Sequence, residues 1–211
     1  MGTSTIFDII ISTVVAGMLL LMALRLNAQA IETNAIYQNN LNLQQGLVAL
    51  VDIIETDFRR LGYCKDYTQI NPPNTAIVAA DSNSITFLTD LPSHLGDMGD
   101  GIVDTLHYYL GTAPINPDNP RERLLNRVVN SNTAQGWRLG VTRFGLLYYD
   151  ALGVKWDCLD PREIVTIEIN ISLESPAPLT KIEYHDSTSA AEDFKVYWKQ
   201  IRLASRNLSN R

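Results

Sequence analysis

The sequence predicts an α+β fold, in which one long N-terminal α-helix packs on a C-terminal domain of antiparallel β-sheet. Three features support this prediction: an uncharged apolar run near the N-terminus, a helical stripe of apolar residues after it, and short alternating segments over the rest of the chain. We therefore expect a long helix over residues 1–62, apolar over 6–26 and amphipathic over 27–61. A β-rich globular domain over 63–211 follows it.

The apolar run has three interpretations. Residues 9–24 carry no charge, and residues 6–26 are numerous enough, at about 1.5 Å each, to cross a hydrocarbon layer of about 30 Å. A cleaved secretory signal is one interpretation, because "NAQA" at 27–30 resembles a cleavage site. However, "MGTST" lacks the Lys or Arg that a signal usually has. The others are a plain membrane anchor and the first half of a longer helix.

The stripe that follows favours the longer helix. Apolar residues recur there at helical spacing, and no proline precedes Pro72, so the pattern continues from about residue 6 to residue 61. A helix that is apolar all round requires a membrane or a fibre core, whereas a helix with one apolar face packs on a domain. We expect the following residues to pack on the domain: Leu43, Leu47, Leu50, Ile54, Phe58 and Leu61.

The segment "GYCKDYTQINPPN" ends the helix, and strand signals dominate after it. We expect seven strands in one twisted antiparallel sheet, at about residues 76–80, 85–88, 103–110, 124–129, 141–150, 163–173 and 195–205.

The two cysteines, Cys64 and Cys158, could pair or could be two unrelated buried thiols. A disulfide between them would close a loop of 94 residues. In the chain-entropy model, a disulfide that closes a loop of that size stabilises the folded state by roughly 4–5 kcal/mol. The chain has no CxxC motif and no Cys/His cluster, so a zinc site is not predicted.

The stretch "GDMGDGIVD" places Asp97, Asp100 and Asp104 around glycines, which suits either a calcium loop or a plain solvated turn. Its spacing is not that of an EF-hand. The chain has no nucleophile elbow, phosphate loop or dinucleotide fingerprint, so we predict no enzyme and no cofactor other than this calcium alternative. The net charge of −6 predicts no nucleic-acid partner. Aromatic residues in strands are usually core or cross-strand partners, so we predict no carbohydrate site.

Four stretches resemble the type IV pilin and pseudopilin superfamily, and within it the PilW and J-type minor pseudopilins. These stretches are "LVALVDIIETDFRRLGYC" at 47–64, "SITFLTDLPSHLGDMGDGIVDTLHYYLG" at 84–111, "RERLLNRVVN" with "GVTRFGLLYYDALG" at 121–153, and "WKQIRLASRN" at 198–207. The resemblance implies a structural subunit of a filament or pseudopilus, held in the inner membrane before assembly and then in an extracellular filament or periplasmic pseudopilus.

The resemblance also implies partners: identical or related pilin-like subunits, an assembly ATPase and a platform protein. A tip or initiation role in a secretion or pilus machine is an alternative, and so is a membrane-anchored binding module that does not polymerise. The implied assembly residues are Ile6, Phe7, Asp8, Ile9, Ile10, Val14, Leu19, Leu20 and Leu24.

Asp8 is the charged member of this set. In the resembling proteins, an acid near the helix start pairs with the N-terminal amine of a neighbouring subunit, after a basic leader ending in glycine is removed. Cleavage after Gly2 would put Phe7 at the fifth position and Asp8 at the sixth, so we expect either an unprocessed chain or one that begins near its mature end. The alternatives for Asp8 are capping of its own helix and a place among lipid headgroups.

Overall fold

The computed structural model describes residues 2–94, 96–130, 132–156, 160–176, 194–204 and 206–208. It contains one long helix, α1 (Thr3–Arg59), followed by eight strands and three short 3-10 helices. The predicted α+β class, with a long N-terminal helix before antiparallel sheets, is confirmed. The chain divides into two compact units, residues 1–42 and residues 43–211.

The helix ends because its last turn meets a glycine in the left-handed region. Gly62 has a φ of 73°, and its N–H donates to the carbonyl of Leu88 at 2.9 Å, which ties the helix end to the second strand. A side chain at Gly62 would also meet the Cβ of Ala76 at 3.2 Å. The turn therefore both stops the helix and starts the path into the sheets.

The strands form two antiparallel sheets. The first has the order β1-β2-β3-β4-β5, with β1 at Ile77–Ala80, β2 at Ser84–Thr89, β3 at Asp104–Pro114, β4 at Arg123–Val129 and β5 at Gln135–Trp137. The second has the order β6-β7-β8, with β6 at Val141–Tyr149, β7 at Thr166–Glu174 and β8 at Val196–Ala204.

Two sheets replace the single predicted sheet, and the physical reason lies at Gly140. Its φ is 76°, its N–H donates to Glu122 Oε1 at 3.0 Å, and its carbonyl accepts from the N–H of Glu174 at 2.8 Å. This turn moves the chain from β5 into a ladder with β7. The one strand that was not predicted, β5, has only three residues, which are too few for an alternating pattern to be recognised in the sequence.

The core of the second unit is built on one face of α1. Leu50, Ile54 and Phe58 are at most 2% exposed, and the Phe58 ring lies 5.2 Å from Phe87 and 5.6 Å from Tyr108. Tyr108 in turn lies 6.4 Å from Phe144 of β6. Because β2 and β3 belong to the first sheet and β6 to the second, both sheets share this core.

A buried polar group joins α1 to the first sheet. Asp57, 6% exposed, accepts from Arg127 Nε at 2.6 Å and from Arg127 Nη2 at 3.3 Å, and it also accepts from the Tyr108 hydroxyl. Burial, followed by the negative charge of Asp57, raises the pKa of Tyr108, so that hydroxyl stays a donor. The carboxylate is therefore compensated by one cation and one hydroxyl.

Replacing Arg127 with methionine should lower the free energy of unfolding by about 3–5 kcal/mol, because it leaves the Asp57 carboxylate buried without a cation. The measurement is denaturant unfolding of the full chain in detergent micelles, monitored by near-ultraviolet circular dichroism. The matched control is Arg59→Met, because the Arg59–Glu55 pair is exposed and is worth at most about 0.5 kcal/mol. The double variant Asp57→Asn/Arg127→Met should lose less than the sum of the single losses. Strict additivity would contradict the pairing.

Candidate functional site

The first unit presents an apolar surface that nothing in the described chain covers. All 14 large apolar side chains between Ile6 and Leu26 are at least 50% exposed. They include Ile6, Phe7, Ile9, Ile10, Val14, Leu19, Leu20 and Leu24. Since neighbouring residues are about 100° apart around a helix, five apolar residues among positions 6–11 occupy its whole circumference. This helix is long and apolar enough to cross a membrane.

The polar side chains inside this surface are largely satisfied by the helix itself. The Ser12 hydroxyl donates to the carbonyl of Asp8 at 2.6 Å, and the Thr13 hydroxyl donates to the carbonyl of Ile9 at 2.7 Å. Both hydroxyls can therefore enter an apolar environment at little cost. Asp8 is the one charged side chain among residues 6–24.

Asp8 lies in the second turn of α1, since the helix begins at Thr3 and its first turn holds no acid. It is therefore not an N-cap, and no described side chain pairs with its carboxylate. The next cation along the helix is Arg25, 17 residues away, which at 1.5 Å per residue is about 26 Å. A cation for Asp8 in an apolar layer must therefore come from outside this stretch of helix.

The six apolar residues that were predicted to pack on the domain belong to the second unit and contact its core. Leu43, Leu50, Ile54, Phe58 and Leu61 are buried there, and Leu47 is partly buried against the same core. The burial ends on the opposite side of the helix, where Val48 is 69% exposed.

Cys64 is buried, and its thiol donates to Asp90 Oδ2 at 3.7 Å. Burial raises the pKa of this thiol above its usual value. Cys158 lies outside the described residues, so its pairing with Cys64 stays a prediction.

The calcium alternative is not supported, because no group of three or more His, Cys, Asp or Glu side chains among the described residues could hold a metal ion. Asp97 is exposed. Asp100 accepts from the Ser93 hydroxyl and from the N–H of Ile102, and these bonds lower its pKa. Asp104 accepts from the N–H of Leu91 and from the side chain of Asn130. These two acids serve as turn acceptors.

The acid that organises this loop is Asp90, which the sequence did not single out. It is fully buried, and it accepts from the backbone N–H groups of Lys65, Asp100 and Gly101 at 2.8–2.9 Å. A Cβ on Gly99 would come within 2.5 Å of the carboxylate, which explains why a glycine is needed there. The available sequence signal was an acid at a strand end before a glycine-rich loop, and that signal is weak.

No protein-family model matches the chain, and no curated protein matches its sequence. Among solved structures, the chain is similar to a type IV-like pilin from Thermus thermophilus, with a TM-score of 0.48 and 12% identity. The likeness covers 80% of this chain and 99% of that chain.

Asp90→Asn should lower the free energy of unfolding by about 1–3 kcal/mol, because an amide offers one acceptor oxygen where several backbone donors converge. Asp97→Asn is the matched control, since Asp97 lies exposed in the same loop, and it should leave the midpoint unchanged. Thermal melting of the full chain in detergent, with calcium and with chelator, gives both results. A calcium-dependent rise of the melting temperature that Asp97→Asn abolishes would instead restore the metal site.

The Cys64 thiol should react with iodoacetamide about tenfold more slowly in the folded chain than in the unfolded chain, because it is buried and its raised pKa leaves less thiolate at neutral pH. Peptide mapping by mass spectrometry after timed alkylation measures this rate. Reaction on unfolding without a reductant would show a free thiol. A chain two hydrogens lighter that labels only after reduction would show the Cys64–Cys158 bridge.

Proposed function

We propose that this chain is a structural subunit of a type IV pilin-like filament or pseudopilus, which polymerises through its N-terminal apolar helix. The observation that carries this proposal is the continuity of α1: one helix is exposed and apolar all round over residues 6–26, and it is buried along one face by its own domain from Leu43 onward. A surface that is apolar all round is stable in lipid or against similar helices, and the buried face links that surface covalently to a folded domain.

The proposed mechanism exchanges one apolar environment for another. Before assembly, residues 6–26 span the inner membrane. On assembly, the helix leaves the lipid and packs against the helices of other subunits in a fibre core. The Ser12 and Thr13 hydroxyls are bonded within the helix, so they add little cost to either state. An assembly ATPase and a platform protein would supply the work and the docking site.

Asp8 would set the register between subunits. A carboxylate in an apolar layer is costly unless a cation compensates it, and Arg25 is about 26 Å away along the same helix. The N-terminal amine of an adjacent subunit is a cation that a packed array of parallel helices brings near. A subunit displaced along the array would leave the charge unpaired.

Two other roles use the same surface. A tip or initiator subunit would pack its helix against related subunits at one end of a fibre, as the resemblance to minor pseudopilins implies. A membrane-anchored binding module would keep the helix in lipid and never polymerise. The position of the chain in purified fibres distinguishes all three roles.

Asp8→Asn should reduce fibre yield about tenfold or more, while membrane insertion stays normal, because the amide keeps the shape of the side chain and removes its charge. The assay is a comparison of sheared surface fibres and membrane fractions from the native host, probed with antibody against the chain. Glu32→Gln is the matched control, because Glu32 is exposed on the same helix outside the apolar surface.

Immunogold electron microscopy of the same fibres tests the role itself. Label along the whole length supports a filament subunit, and label at the ends only supports the tip role. A chain recovered only as detergent-soluble monomer would reject polymerisation. Normal fibre yield from Asp8→Asn would reject the pairing of Asp8 and leave polymerisation standing.

A further inference from the structure

A groove with several arginines lies in the second unit, between the ends of the two sheets. Its volume is about 610 Å³, and its lining includes Asn83, Arg121, Arg123, Thr142, Arg143 and Ser172. A β-bulge in β6, between Val141 and Arg143, interrupts the ladder with β7 at this place. Bulges redirect side chains, and here both Thr142 and Arg143 line the groove.

The groove carries positive charge that the described chain does not neutralise. Arg121 is occupied, since it pairs with Glu174 at 3.0 Å and its guanidinium lies 4.7 Å from the centre of the Phe194 ring. Arg123 donates through Nη1 to two backbone carbonyls, and no described carboxylate pairs with it or with Arg143. Among the described residues, two guanidinium groups of the groove thus have no carboxylate partner. This charge favours an anionic ligand.

An exposed tryptophan lies beside the groove on the same face of the second sheet. Arg143 of β6 is opposite Ser172 of β7, and Ser172 is opposite Trp198 of β8. Because neighbouring strands are about 4.8 Å apart, the backbone positions that carry a guanidinium, a hydroxyl and an indole in this row span about 10 Å. Trp198 is 67% exposed, so its ring is free of the core.

The next row leaves room above the sheet. It consists of Gly145, Asn170 and Gln200, and a Cβ built on Gly145 would lie 3.4 Å from Arg143 Nε. The arginine side chain therefore lies along the sheet face over the glycine. Asn170 and Gln200 add two amides beside it, so this face combines a flat aromatic ring with hydrogen-bonding groups and a cation.

We propose that this face, defined by Arg143, Ser172, Trp198 and the adjoining groove, binds an acidic polysaccharide rich in uronate residues. The apolar face of a pyranose ring packs on an indole, its hydroxyls bond to amides and hydroxyls, and its carboxylate accepts a bidentate bond from a guanidinium. An acidic peptide fits less well. A peptide strand binds through unpaired backbone groups along a sheet edge, whereas this site runs across the face of the sheet, from edge strand β6 over central β7 to edge strand β8, and offers side chains.

Among the aromatic residues of the strands, Tyr108 is buried in the core, whereas Trp198 is exposed and is a cross-strand neighbour of Ser172. A carbohydrate site at Trp198 would overturn the prediction that the chain has none. The proposed site lies wholly within the second unit, so it is independent of polymerisation. In a filament, the many copies would act together and raise the avidity.

The test is isothermal titration of the full chain in detergent with oligogalacturonate. Trp198→Ala and Arg143→Gln should each weaken binding about tenfold or more, the first by removing stacking and the second by removing a charged bond. The methyl ester of the same oligosaccharide lacks the charge and should bind at least about tenfold more weakly. Raising the ionic strength should weaken binding of the acid form.

Matched controls are Arg162→Gln and Tyr67→Ala, which remove an exposed cation and an exposed aromatic ring outside the site and should leave binding unchanged. Circular dichroism checks that each variant is folded. Absence of oligogalacturonate binding to the folded chain, or binding that neither site variant weakens, would overturn the proposal. Equal binding of poly-glutamate, insensitive to Trp198→Ala, would assign the groove to an acidic protein segment instead.

Discussion

The structure depends on one constraint: an apolar helix surface that water solvates poorly. The 14 large side chains over residues 6–26 are 50–67% exposed. Full burial of one exposed side chain of this kind is worth about 1.5–3 kcal/mol, so covering the area that is still exposed in the whole segment is worth on the order of 12–25 kcal/mol. Typical domains are stable by only about 5–15 kcal/mol. Covering this surface is therefore worth as much as, or more than, the folding of a typical domain. Under the proposed function, lipid or the helices of other subunits provide that cover.

The second half of α1 meets this demand by belonging to the core of its own domain. Leu50, Ile54 and Phe58 are buried in a core to which both sheets contribute, and the Phe58 ring contacts Phe87 of the first sheet. Asp57 adds directional hydrogen bonds. Because its carboxylate accepts from a guanidinium and a hydroxyl at fixed geometry, these bonds specify the position of the helix on the sheet more closely than apolar contacts do. Apolar packing supplies most of the free energy that holds α1 against the sheets, and the Asp57–Arg127 ion pair sets the register of this contact.

Three aspartates show how environment assigns a role to one residue type. Asp57 is buried and paired with a cation, so it joins a helix to a sheet. Asp90 is buried without a cation, and backbone donors from two loops satisfy it, so it shapes a loop. Asp8 is exposed on an apolar surface, where any environment that covers its neighbours also removes its water. Under the proposed function, that difference makes Asp8 the one acid that needs a partner from another molecule.

The sequence by itself determined the α+β class, the long helix and seven of the eight strands, because these depend on local periodicity and on the positions of glycine and proline. It also determined the face of the helix that Leu43, Leu50 and Phe58 bury, since helical spacing fixes that face. Only the tertiary structure decided the division into two sheets and the hydrogen bonds of Asp57 to Arg127 and Tyr108. It also decided the backbone donors around Asp90 and the row from Arg143 to Trp198. These features join residues far apart in sequence, 70 positions in the case of Asp57 and Arg127. Local sequence patterns do not report such contacts, because the packing of the helix and loops and the pairing of the strands set them together.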